Sequence, residues 1–176
     1  MRFPLAAGVL DPPRYLEALG RYFIDDPYAQ WFGSFEPILK GLGASYYPNR
    51  GSTVLHTDIC SPIPTDPTWR KLPKSTQEDL RRLGYPLWQE LVDYLRPDAM
   101  LISVAREYLA DVSDQPLAEW ELIHEVERDN PFRFLSSRLP SGCLAIFGQA
   151  AHAPFGTVSI KDRQLAGESI KRKLSA

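Results

Sequence analysis

The sequence predicts an α/β protein built on a short, mainly parallel central sheet. Three observations carry that expectation. Short runs rich in apolar and β-branched residues at 53–59, 99–104 and 143–147 read as strands, the latter two as buried ones. A long helical stretch at 75–95 separates the first two, the order of a right-handed strand–helix–strand unit. A length of 176 residues suits one domain with a sizeable core.

Each element has a local reason. Residues 12–24 read as a helix: Pro12 and Pro13 suit a first turn, and Tyr15, Leu16, Leu19, Tyr22 and Phe23 share one face. Residues 27–42 read as a second, broken helix that Gly43 stops. The strand at 53–59 lies between Asn49-Arg50-Gly51 and Pro62. In 75–95, Ser75 and Glu78 have capping-box spacing, and Gly84-Tyr85-Pro86 is expected to split the helix. Residues 120–127 and 132–139 form an expected peripheral antiparallel hairpin across Arg128-Asp129-Asn130-Pro131. After the strand at 143–147 come Gly148, a loop and a closing helix at 159–174 capped by Ser159. There is no internal repeat or low-complexity tract. The expected organisation is a single domain over 1–176, with a helical part at 1–48 and a sheet core at 49–176.

Composition excludes some classes of function. Hydrophobic residues are 44% and charged residues 24%, as in ordinary globular chains. No apolar run reaches the roughly 18–20 residues of a membrane span, so no membrane partner is expected. The N-terminus lacks a signal-peptide core, and Cys60 and Cys143 have no metal-type spacing. A reduced, cytoplasmic monomer is the expectation. A net charge of -2 argues against coating nucleic acid by charge alone. A local basic segment, Lys161, Arg163, Lys171, Arg172 and Lys173, suits either a solvated helix face or contact with a phosphate backbone.

In open α/β sheets, ligands sit at the carboxyl ends of parallel strands. Three segments qualify on the expected strands: His56-Thr57-Asp58, Ala105-Arg106-Glu107 and 151–156 with His152. No phosphate-binding glycine loop, serine nucleophile elbow or zinc spacing is present. His124 lies mid-strand and reads as structural. His56 suits a satisfied core histidine as well as a site residue. His152 lies among small loop residues, where packing explains it less well. Asp58 in an apolar run needs a partner or a ligand, and ordering the backbone of 60–68 would also satisfy it.

In order and spacing, residues 50–176 resemble the uracil-DNA glycosylase superfamily. The carrying segments are VLHTDI, SPIPTDPTW with Trp69, PLWQELVDYL, AMLISV and LAIFGQAAHAPFG. The resemblance implies a three-layer α/β/α fold and a DNA glycosylase that flips out a base and hydrolyses its N-glycosidic bond. It needs no cofactor and no metal. By this resemblance His152 stabilises charge on the departing base. Phe155 fills the gap left by the flipped nucleotide, although a core aromatic fits the position equally. Asp58 takes the base-reading position, usually Asn in enzymes acting on uracil. A carboxylate accepts hydrogen bonds, which suits the exocyclic amine of cytosine, so a modified cytosine is the expected base. Tyr46 and Tyr47 are the candidates for stacking it, and Arg106 and Lys161 for DNA contact. His56 joins the catalytic candidates. Repair, or defence against DNA carrying modified cytosines, is the implied setting.

One departure matters. The family's first motif, a glycine-containing loop that positions the attacking water, has no clear counterpart upstream of residue 50. Asp25-Asp26-Pro27-Tyr28 echoes an Asp-Pro-Tyr of the uracil-specific branch but follows a helical pattern. A start at Met1 that omits the first strand is the expectation this raises. It supports a rival reading, an inactive glycosylase-like DNA-binding module. A further rival is an unrelated α/β hydrolase acting on a small nucleotide-like substrate, with His56, Asp58 and His152 as its acid–base set. A protein-interaction domain with exposed aromatics is the blandest.

Overall fold

The computed structural model describes residues 12–25, 27–60, 67–104, 106–148, 155 and 157–176. Its architecture is mixed α/β. Helices α1 (Pro12–Asp25), α2 (Ala29–Phe32) and α3 (Glu36–Leu42) come first, then α4 (Lys74–Leu95). Strands β1 (Ala99–Ile102), β2 (Glu121–Val126), β3 (Phe132–Arg138) and β4 (Leu144–Gly148) form one sheet, and α5 (Ile160–Leu174) closes the chain. Among the described residues no helix is long and apolar enough to cross a membrane.

The sheet order is β1-β4-β3-β2. Only β1 and β4 run parallel; β4–β3 and β3–β2 are antiparallel. The expected mainly parallel sheet is therefore corrected to a mixed one. The chain leaves β1 at one edge, crosses to β2 at the other, and returns by two reversals to β4. The expected hairpin is present, but only β2 is peripheral, because β3 also pairs with β4.

The segment 53–59 is a second correction. Residues 52–58 follow extended backbone but belong to no ladder. The bonds Ser52 N–H to Tyr47 O (3.2 Å) and Thr53 N–H to Ser45 O (3.0 Å) tie down its start. Val54 packs on the core while Leu55 is exposed. Composition favoured an extended chain, but a strand also needs a neighbour, and propensity does not supply one. The expected strand–helix–strand unit through α4 is thus absent, and the parallel partner of β1 is β4 instead.

Two cores lie on the two faces of the sheet. On one, Phe132, Phe134, Leu144 and Ile146 meet Ile38 and Leu39 of α3 and Ala166 and Ile170 of α5. On the other, Ile102, Ala145 and Phe147 meet Leu109 and Trp120. That second face receives short 3₁₀ turns, Arg106–Asp111 and Leu117–Glu119, with Leu109, Val112 and Leu117 inserted. The alternation along β4 sends successive side chains to opposite cores, which is why the whole strand is apolar and buried.

Helix ends follow local chemistry with one exception. Gly43 ends α3 at φ 83°, and Ser159 caps α5 by accepting from the Asp162 N–H at 3.1 Å. In α4 the expected Ser75 cap is not used. The helix starts after Pro73, and buried Gln77 donates to the carbonyls of Trp69 (2.9 Å) and Leu72 (3.1 Å) in the preceding turn. Nor does Pro86 split it. All 22 residues are one helix, which forgoes a single backbone bond at the proline.

Candidate active site

The parallel pairing of β1 with β4 sends two of the three expected site segments off the same sheet edge, because Ile102 is level with Phe147. Arg106 follows β1 and is exposed on its 3₁₀ turn. His152 lies outside the described residues. Beyond it the chain re-enters at Phe155.

Phe155 is 1% exposed, between Phe35 (6.1 Å) and Phe134 (5.3 Å). It lies so close over Gly148 that a Cβ on that glycine would come within 2.6 Å of the ring. Its φ of 54° is a left-handed conformation that a bulky residue holds only when its surroundings enforce it. Of the two roles open to it, core aromatic is the one it fills here. It is not exposed as a wedge.

The segment bearing Asp58 is clamped from two sides. His56 turns inward into a box of Phe32 (5.3 Å), Phe35 (6.2 Å) and Trp31 (6.4 Å). Thr57 turns outward, where its Oγ1 accepts from Trp88 Nε1–H of α4 at 3.1 Å. Asp58, next in line, is exposed. Burial pushes the His56 imidazole below its usual value, and the Asp58 charge only partly opposes this. His56 is therefore neutral near pH 7, and its rings-only surroundings suit an anchor.

Phe35 joins the two halves of the site. It touches both His56, two residues before Asp58, and Phe155, three residues after His152. The unpaired segment and the turn that follows β4 therefore meet at one aromatic corner.

Of the two stacking candidates, Tyr46 is buried and already stacked on Phe23 at 4.9 Å and 9°, so its face is taken. Burial, with the nearby Glu36 charge, pushes its phenol far up. Tyr47 is half-buried and meets Phe23 edge-on. Lys161 is exposed in the first turn of α5. His124 is half-buried on β2, within 3.4 Å of Ser169 Oγ on α5.

Two contributors were not legible in the sequence. Trp88 sits in a segment that reads simply as helix; its tie to Thr57 spans 31 residues. Asp111 forms an ion pair with Arg81, and Tyr85 Oη–H donates to its carbonyl at 2.7 Å. Its Oδ2 is buried without a hydrogen-bond partner among the described residues. Burial, then the charges of Asp111 and Asp58, push the nearby Cys60 thiol up, which makes it a poor nucleophile.

A cleft of about 770 Å³ opens elsewhere, at the amino ends of β1 and β4, lined by Asp93, Arg96, Asp98, Arg138 and Cys143. Its acids and arginines balance, and it lies at the opposite end of the strands from Asp58. Among the described residues no group of three or more His, Cys, Asp or Glu is disposed to hold a metal ion. Comparison with protein-family models, curated proteins and solved structures finds no match to this chain.

Proposed function

We propose that the chain is a DNA glycosylase of the uracil-DNA glycosylase type, with its three-layer α/β/α plan, acting on a cytosine-like base. The supporting observation is the Phe35 junction, which draws the Asp58 segment and the chain beyond His152 to one corner. In this reading the target nucleotide leaves the stack at a cost of a few kcal/mol. Asp58, exposed and held by its neighbours His56 and Thr57, accepts from the exocyclic amine of the base. His152 offsets negative charge on the departing base, and water completes the hydrolysis. Tyr47, half-buried, is the better stacking candidate. Arg106 and Lys161 supply phosphate contacts.

A specific observation favours a second reading, an inactive DNA-binding module. Phe155 and Tyr46 are both committed to the core, and the sequence lacks the water-positioning motif.

The base preference tests the assignment of Asp58. On duplexes carrying uracil, cytosine or a bulky modified cytosine, Asp58→Asn should shift excision from the cytosine type toward uracil. An unchanged preference would sink the assignment, and binding without excision by either form would favour the inactive module.

A further inference from the structure

Helix α4 is attached to the molecule along one side only. Gln77, Gly84, Tyr85 and Trp88 face inward, whereas Leu83 is 60%, Leu87 56%, Leu91 36% and Tyr94 85% exposed. With Leu80 these residues fall on one helical stripe, since steps of three and four keep side chains on the same face. The stripe runs about 21 Å along the helix.

Two features identify what fits this stripe. The first is its spacing. About Leu87, the other members stand at minus seven, minus four, plus four and plus seven residues. A two-fold contact requires residue i to meet j and j to meet i. An antiparallel copy centred on Leu87 does this: Leu87 meets itself, Leu83 meets Leu91, and Leu80 meets Tyr94.

The second is charge. Along the stripe's flank, Asp79 and Arg82 lie before the centre, and Glu90, Asp93 and Arg96 after it. Arg82 leans to Asp79 at 3.3 Å, and both are mostly exposed. In the antiparallel pairing Arg82 comes level with Glu90 and Asp93 of the other copy, and Asp79 with Arg96. A parallel pairing would set every charge against its own kind. Complementary charges at such edges set partner and orientation in paired helices.

We infer that a second copy of this chain docks on α4, antiparallel about a two-fold axis at Leu87, in place of the expected monomer. Ten stripe side chains, at roughly 100 Å² each, bury on the order of 1,000 Å², the size at which specific interfaces begin.

Sedimentation velocity of the full chain over a range from about 1 to 100 μM tests it, since a contact of this size gives association in that span. The wild type should approach a dimer, and Leu87→Lys, at an exposed position, should stay monomeric with an unchanged circular dichroism spectrum. Arg82→Glu should weaken the dimer, and Arg82→Glu with Glu90→Arg should restore it. Under mild oxidation Leu87→Cys should link to itself. Leu83→Cys alone should not, but should link to Leu91→Cys when the two are mixed. A monomer at every concentration, a dimer that survives Leu87→Lys, or Leu83→Cys linking to itself as readily as Leu87→Cys would each overturn the inference.

Discussion

Gly41 and Gly167 pack backbone to backbone where α3 crosses α5. A Cβ on Gly167 would lie 2.0 Å from the carbonyl oxygen of Ile38 and 3.0 Å from Gly41 Cα. One on Gly41 would lie 2.0 Å from the Gln164 oxygen. No side-chain rotation relieves such contacts, so the helices must separate. Gly167→Ala is expected to destabilise the fold by roughly 1–3 kcal/mol or more, read as a lower urea midpoint. Gly20→Ala, with open space around it, should instead stabilise by up to about 1 kcal/mol. Equal effects at both sites would contradict the close crossing.

Glu36 organises the chain that leads to Asp58. Its carboxylate accepts from Ser45 Oγ (3.1 and 3.2 Å), the Tyr46 N–H (3.3 Å) and Arg50 Nη1 (3.0 Å). Glu36→Ala leaves buried Ser45 and the Tyr46 amide without this acceptor. A loss of roughly 1.5–3 kcal/mol is expected. Arg50 is largely exposed, so Arg50→Ala should cost no more than about 1 kcal/mol. Thermal or urea unfolding of the two variants checks the order, and a larger loss for Arg50→Ala would reverse it.

Stability should fall as the solution is acidified through the histidine range. Burial depresses both His56 and His124, so the unfolded chain binds their protons first as pH drops. Their contribution is complete above the ordinary value of 6.5 and is lost as pH falls below it through the depressed values. His56→Phe keeps an aromatic ring in the box and removes the proton site. Urea midpoints at about pH 7.5 and about pH 5.5 should therefore differ less in this variant than in the wild type. The same difference in both would show that His56 does not titrate as its burial demands.

Features decided locally were legible in the sequence, and features decided by distant partners were not. Ser159 caps α5 and Gly43 ends α3 as read, because both depend on a few neighbouring residues. The strand at 143–147 was found one residue early, because a wholly apolar run needs two buried faces. The segment around Asp58 looked like a strand because β-branched composition marks extension, while pairing depends on residues far away. The same reason hid the antiparallel pairing of β3 with β4. At the site, His56 and Asp58 were found from chemistry alone. Trp88 was missed because nothing near it in sequence announces a bond to Thr57, and Tyr46 was misjudged because an aromatic at an element's end looks the same whether exposed or stacked.

The most direct measurement is alkali-induced strand cleavage after incubation with labelled duplexes carrying a modified cytosine, cytosine or uracil. The account predicts breaks at the modified cytosine with the wild type and their loss in His152→Ala. No breaks on any duplex with the folded wild type, or breaks that persist undiminished in His152→Ala, would contradict it.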